Sequence, residues 1–144
     1  MHAVRRAFTL IELLAVVVIL AVLAGVAIPK FIDMQDRAKE SACKGLLGGV
    51  RAGIASYFAN EAITNGVGAY PTSVQVQANG LVMQGDLAAN PYSKKFGVFD
   101  FGLGDANIRF SNNATGWAYY VDNGASPPAA LFWANSNVAN ENSF

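Results

Sequence analysis

The longest apolar run of the chain extends from Leu13 to Ile28 and contains no charged side chain. The segment Phe8–Leu14 leads directly into it, so about 21 residues can form one helix. At roughly 1.5 Å per residue such a helix is about 31 Å long, close to the hydrocarbon thickness of a bilayer. The pattern therefore predicts a membrane-spanning helix over residues 8–28.

Pro29 closes this run, and helical periodicity resumes directly after it. Apolar side chains recur at spacings of three or four residues: Cys43, Leu47, Val50, Ile54 and Phe58. This stripe predicts an amphipathic helix over 29–64 whose apolar face packs on another part of the chain. Because a proline inside a helix crowds the preceding turn, we interpret Pro29 as a bend in one long helix rather than as its end.

Glycines interrupt the second helical segment at four positions: Gly45, Gly48, Gly49 and Gly53. Each weakens a helix by up to about 1 kcal/mol relative to alanine. We interpret them as points of close packing against a sheet, with plasticity during assembly as the alternative. Cys43 lies on the apolar stripe and is predicted to be a small buried side chain.

The C-terminal third alternates apolar and polar residues with a period of two, which predicts strands. The two clearest strands are Trp117–Val121 and Ala130–Ala134, joined by a hairpin loop over Asp122–Pro128. Ile108–Ser111 is a candidate third strand. Before them, Thr72–Gln77 is ambiguous between a strand and a short helix, and the preceding proline favours a helical turn.

Together these segments predict an α+β fold, in which a long bent N-terminal helix packs on a small antiparallel β-sheet head formed by residues 65–144. The aromatic side chains of the head are interpreted as core: Phe96, Phe99, Phe101, Phe110, Trp117, Tyr119, Tyr120, Phe132 and Trp133.

Composition excludes several classes of function. The 144 residues carry ten basic and ten acidic side chains, and Lys94-Lys95 is the only basic pair outside the N-terminus, so no nucleic-acid partner is expected. Cys43 is the only cysteine and His2 the only histidine, which leaves no histidine-based triad or cysteine metal site. No phosphate-binding or dinucleotide motif is present, so we expect no enzyme and no cofactor.

Glu12 is the one charged residue next to the apolar run. An ionised carboxylate in lipid is costly, so it is a functional candidate by default. It either reaches the headgroup water or pairs with a cation when the helix leaves the bilayer. A cut before Phe8 would create a cationic α-amino group that could pair with Glu12 of a neighbouring chain. Removal of one partner of such a buried pair would leave the other charge unpaired.

The sequence Arg5-Arg6-Ala7, followed by Phe8-Thr9-Leu10-Ile11-Glu12-Leu13-Leu14, resembles the N-terminus of type IV pilins and type II secretion pseudopilins. The resemblance implies a leader at 1–7, cleavage between Ala7 and Phe8, methylation of Phe8 and a role of Glu12 in assembly. The family usually has glycine before the cut, where this chain has Ala7. The resemblance divides the remainder into a transmembrane or filament-core helix at 8–28, an amphipathic half at 29–64 and the head.

The resemblance also implies partners and a location. A prepilin peptidase would remove the leader, and an inner-membrane platform with its ATPase would extract the subunit from the lipid bilayer into a filament of identical or related pilins. The arginines keep the N-terminus cytoplasmic and the head periplasmic. Pilus and pseudopilus remain alternatives, as does a secreted soluble binding module with a conventional signal peptide cleaved after Ala27.

Calcium is a further hypothesis for the head. Asp100, Asp105 and Asp122 supply carboxylates near turns, and calcium takes six to eight oxygen ligands. Residues 99–105 resemble faintly the calcium loop of major pseudopilins. Ordinary turn aspartates are the alternative interpretation.

Overall fold

A computed structural model describes residues 8–102, 111–138 and 140–144. The chain divides into two compact units, Met1–Ala38 and Lys39–Phe144. One long helix, α1 (Leu10–Asn65), begins in the first unit and ends in the second. Pro29 lies inside α1, so the prediction that the helix continues past the proline is confirmed, whereas the bend stays a prediction.

In the second unit, α1 is followed by the short helix α2 (Ser73–Gln77) and by three strands, β1 (Val98–Asp100), β2 (Trp117–Asp122) and β3 (Ala129–Ala134). A 3₁₀ turn, Glu141–Ser143, ends the described chain. The predicted α+β fold, the helical turn at α2 and the β2–β3 hairpin are confirmed. The candidate third strand Ile108–Ser111 lies outside the described residues apart from Ser111, which is in no strand.

The sheet is mixed rather than wholly antiparallel, which corrects the prediction. Its order is β1-β2-β3, with β2 antiparallel to β3 and β1 parallel to β2, Val98 being opposite Trp117. A parallel pair requires a connection of about a dozen residues or more, and residues 101–116 provide it. The short β1 follows Gly97, whose φ of +81° is a left-handed conformation, and it carries no alternation from which a strand could be predicted.

The core forms between the head section of α1 and one face of the sheet. Four residues of the predicted stripe are buried on α1, namely Cys43, Leu47, Val50 and Ile54. They belong to the same cluster as Trp117, Tyr119 and Phe132 of the sheet. The opposite face of the sheet buries a second cluster of Ala118, Tyr120 and Trp133. Aromatic residues therefore fill both faces, and not only the one facing α1.

Some sequence-based interpretations of the core are wrong. Phe96 is 69% exposed, and Phe110 lies outside the described residues. Of the four glycines only Gly53 packs closely, because a Cβ there would lie 2.2 Å from the carbonyl oxygen of Val82 in the turn after α2. Gly45, Gly48 and Gly49 have nothing within 4 Å of a Cβ, so they do not pack against the sheet. Cys43 is fully buried, as predicted.

Candidate assembly site at the start of the long helix

Thr9 and Glu12 form a reciprocal cap at the N-terminus of α1. The backbone N–H of Thr9 donates to Oε2 of Glu12 at 2.9 Å, and the backbone N–H of Glu12 donates to the Thr9 hydroxyl at 3.3 Å. The same hydroxyl donates to Oε2 at 2.8 Å. A threonine followed three residues later by glutamate is the capping-box pattern, in which two backbone N–H groups without helical partners are satisfied.

This cap gives the carboxylate of Glu12 a local role that the sequence interpretation missed. The negative charge lies at the positive end of the helix dipole, where it is stabilising, and two donors of Thr9 partly replace water around it. The sequence carries the signal as Thr9-x-x-Glu12, although the charge of Glu12 beside the apolar run is the more conspicuous feature.

The helix surface after Glu12 is apolar and uncovered. Over residues 8–38 the large apolar side chains are all about half exposed or more: Phe8, Leu10, Ile11, Leu13, Leu14, Val16, Val17, Val18, Ile19, Leu20, Val22, Leu23, Val26, Ile28, Phe31, Ile32 and Met34. Among the described residues, α1 is the one helix that is long and apolar enough to cross a membrane. An apolar surface of this extent marks a membrane or protein contact.

The structure describes some, but not all, of the other predicted site residues. Phe8 is described and exposed, whereas Ala7 lies outside the described residues, so the cleavage site stays a prediction. Pro29 is in the same unit, well away from Glu12 along α1.

The calcium candidates have local hydrogen-bond partners. Oδ2 of Asp100 accepts from the hydroxyl of Ser73 at 2.7 Å, and its Oδ1 accepts from the N–H of Gly102 at 2.8 Å. Oδ1 of Asp122 accepts from two N–H groups in the hairpin loop. Asp105 lies outside the described residues, and within the described part of the chain no three acidic, histidine or cysteine side chains converge. Calcium binding stays a prediction.

Comparison with known proteins finds similarity in the N-terminal part of the chain. The model of the prokaryotic N-terminal methylation motif matches residues 3–28. The chain is 45% identical over 57 residues to the type IV major pilin protein PilA of Myxococcus xanthus, and this match covers 40% of this chain and 26% of PilA. It is 36% identical over 63 residues to the type IV major pilin protein PilE of Neisseria gonorrhoeae, and this match covers 44% of this chain and 38% of PilE.

A third relative is the fimbrial protein EcpC of Eikenella corrodens, which is 33% identical over 60 residues, 42% of this chain and 39% of EcpC. The chain thus spans from about a quarter to two fifths of the length of these relatives. No solved structure matches the chain significantly. These matches lie in the N-terminal part of the chain, where the motif and the relatives support the type IV pilin and pseudopilin superfamily.

Proposed function

We propose that the chain is a structural subunit of a type IV pilus-like or type II secretion pseudopilus filament, and not an enzyme. The observation that carries the proposal is the uncovered, uncharged surface of α1 from Leu13 to Ile28, which begins directly after one capped carboxylate. Such a surface is suited to lipid, and it can also be covered by other helices of the same kind.

During assembly, the apolar surface of α1 would leave the lipid and become covered by the helices of other subunits. A prepilin peptidase would cut between Ala7 and Phe8, and Phe8 would be methylated. The inner-membrane platform and its ATPase would transfer the subunit into a periplasmic or extracellular filament. In this filament Glu12 would face the α-amino group of a neighbouring Phe8. A carboxylate accepts hydrogen bonds through both oxygens, so an approaching amine can bind Oε1 while the cap to Thr9 uses Oε2.

The cap allows the charge of Glu12 to be tested apart from its hydrogen bonds. Glu12→Gln retains an amide oxygen that can accept from Thr9, but it removes the negative charge. Glu12→Ala removes both. We expect both variants to remain in the membrane fraction and both to be missing from sheared fibres. Asp33→Asn, an exposed acid of the same helix outside the apolar run, is the control and should assemble normally.

Incorporation of Glu12→Gln at the wild-type level, with Glu12→Ala excluded, would show that the residue acts as a cap and not as an ion-pair partner. N-terminal sequencing of the native protein adds a separate test. Phe8 at the N-terminus supports the proposal, whereas Ile28 would indicate a conventional signal peptide and a secreted module. Filament length in electron micrographs then separates a pilus from a pseudopilus.

A further inference from the structure

A groove in the head lies between the C-terminal part of α1 and the turn that follows α2. It has a volume of about 400 Å³ and is lined by Ser56, Tyr57, Asn60, Glu61, Gly80 and Leu81. Glu61 is the one charged residue of this lining, and it is an acid. The hydroxyl of Ser56, the amide of Asn60 and the carboxylate of Glu61 all offer oxygen acceptors. An ammonium group, which carries three donors and no acceptor, is the chemical complement of such a groove.

Both walls of the groove are fixed by contacts within the head unit. The turn after α2 lies directly against α1, since a Cβ on Gly53 would be 2.2 Å from the carbonyl oxygen of Val82. On the α1 side, the hydroxyl of Tyr57 accepts from the side-chain amide of Gln75 in α2 at 3.0 Å. The groove is therefore formed before any partner binds, which lowers the cost of binding.

The carboxylate of Glu61 retains capacity for a cation. Its Oε2 accepts from the side-chain amide of Asn65 at 2.6 Å. Glu61 makes no ion pair with the residues that the structure describes, and its Oε1 has no hydrogen-bond partner among them. An approaching ammonium can therefore bind Oε1 without displacing Asn65.

The head unit also carries one cation that has no partner of its own. In the described part of this unit the other cationic side chains all interact within the chain, namely Lys39, Lys44, Arg51 and Lys95. The ammonium of Lys95, for example, donates to the carbonyl of Asn113. Lys94 is exposed, and its ammonium makes no hydrogen bond or ion pair with any described residue. Lys94 and the groove of Glu61 are thus two complementary groups that each lack a partner.

The loop that carries Lys94 is held in a defined conformation by Asn90, which is fully buried. The side-chain oxygen of Asn90 accepts from the N–H of Tyr92 at 2.8 Å, and its carbonyl accepts from the N–H of Lys94 at 2.8 Å. The N–H of Asn90 donates to the carbonyl of Lys95 at 3.0 Å. Lys94 has a φ of +59°, which is uncommon for a residue other than glycine. Lys94 does not line the groove of its own chain, so the two groups can meet only between copies.

We propose that Lys94 of one subunit enters the groove of a second copy of the chain and pairs there with Glu61. The inference rests on the proposed function, because it requires that the subunits assemble into a filament. The ammonium donates to Oε1 of Glu61 and to the oxygens beside it in the groove. Phe96, two residues after Lys94, is 69% exposed, and Leu81 in the groove is 52% exposed, so the contact also covers apolar surface.

This contact joins two different surfaces of the head, and both lie in the unit Lys39–Phe144. A contact between unlike surfaces is heterologous, and it leaves one free groove and one free lysine at the ends of every array. Such a contact can add subunits without limit when its rotation does not close a ring. Because complementary charges fix orientation more than affinity, the pair would select the register in which two heads meet.

Exchange of the two charges tests the contact. The full chain with Lys94→Glu, Glu61→Lys or both is produced in cells that lack the native copy, and its amount in sheared fibres is compared with its amount in the membrane. Each single variant places like charges opposite each other, so we expect a loss from the fibres of about tenfold or more. The double variant restores opposite charges and should return to within about twofold of wild type. Lys95→Glu with Glu61→Lys is the matched control and should stay defective.

Cross-linking provides a second measurement that does not depend on reversed charges. Lys94→Cys and Glu61→Cys remove the attraction without adding repulsion, so fibres of the doubly substituted chain should still form. A short bis-maleimide should then give a ladder of covalent multimers, because every subunit carries both halves of the contact. Each single-cysteine variant should remain monomeric, since the native Cys43 is fully buried.

Wild-type amounts of both single charge variants in the fibres would overturn the inference. A loss with Glu61→Lys alone would also overturn it, because the groove would then bind a different cation. The same holds for a double charge variant that stays defective although its head unfolds at the wild-type urea concentration, and for doubly substituted cysteine fibres without multimers. Absence of fibres from the wild-type chain contradicts the proposed function and this inference together, whereas wild-type fibres with any of these results contradict this inference alone.

Discussion

The guanidinium of Arg51 in α1 binds the main-chain carbonyl of Phe132 in β3, with Nε donating at 3.0 Å and Nη2 at 2.9 Å. Nη2 also donates to the main-chain oxygen of Phe144 at 2.6 Å. Because β3 is an edge strand, the outward-facing carbonyl of Phe132 has no neighbouring strand from which to accept a hydrogen bond. The charged side chain of Arg51 donates to it instead. One residue thus links the helix, the sheet edge and the C-terminal turn.

We expect Arg51→Ala to lower the free energy of unfolding of the head by about 2–3 kcal/mol, because hydrogen bonds to charged groups contribute about 1.5–3 kcal/mol. Arg51→Lys should recover part of the loss, since an ammonium cannot reproduce the planar fork. Urea unfolding of the full chain in detergent, followed by the fluorescence of the buried Trp117 and Trp133, measures the change. Arg37→Ala, in the first unit, is the control. Equal stability of the Arg51→Ala and wild-type chains would contradict this role.

The glycines of α1 give a pair of opposite predictions. Gly53→Ala should destabilise the head, because the new Cβ would clash with the carbonyl oxygen of Val82 at 2.2 Å. Gly49→Ala, on the exposed side of the same helix with nothing within 4 Å, should stabilise it by up to about 1 kcal/mol. The same unfolding experiment compares the two variants, and a shift in the same direction for both would contradict the packing described here.

These glycines also show where the sequence was informative and where it was not. The periodicity of Cys43, Leu47, Val50 and Ile54 was sufficient to predict the helix face that is buried, because that signal is local. Which glycine touches another segment depends on the turn around Val82, which lies about 30 positions further along the chain. Spacing within a helix carries no information about such a contact.

The same distinction applies to the candidate site. Glu12 could be selected from the sequence because a charge beside an apolar run is conspicuous, and Thr9 could have been selected from its spacing alone. By contrast, Arg51 and Phe132 are 81 positions apart, and Asn90 and Ser136 are 46 apart. No short motif encodes these contacts, so the sequence did not predict the hydrogen bonds through which Arg51 and Asn90 join distant parts of the head.

Cys43 should make the stability of the head fall at alkaline pH. Burial, and secondarily the negative charge of Glu141, raise the pKa of the Cys43 thiol from 9.0 to about 11, although Arg51 acts in the opposite direction. Between these two values the unfolded chain loses the thiol proton while the folded chain retains it, so unfolding becomes more favourable as the pH rises. The stabilisation is complete below about pH 9 and is lost progressively from pH 9 to 11.

The measurement is the free energy of unfolding of wild type and Cys43→Ala as a function of pH. Burial also raises the pKa of Tyr119 above its ordinary value of 10.0, so both proteins should lose stability above that pH, and only the difference between them reports on Cys43. We expect the wild-type curve to fall more steeply from pH 9 to 11. Parallel curves over this interval, or rapid alkylation of the native thiol at about pH 8, would show that Cys43 is not buried as described.

Asn90 should stabilise the loop that carries Lys94 and Lys95 through both the oxygen and the NH₂ group of its side chain. Asn90→Asp keeps an oxygen for the N–H of Tyr92 but removes the donors to Gly116 and Ser136, and it places a charge in a fully buried position. We therefore expect Asn90→Asp to be at least as destabilising as Asn90→Ala, with losses of about 2–4 kcal/mol, because each unsatisfied buried group costs about 1–3 kcal/mol. Hydrogen exchange should accelerate at Lys94 and Gly116, and less at Val50 in the core helix.

Asn79→Ala, which removes only an exposed hydrogen bond to Asp86, is the control. Unchanged exchange at Lys94 in Asn90→Ala would mean that the conformation of the loop does not depend on this side chain.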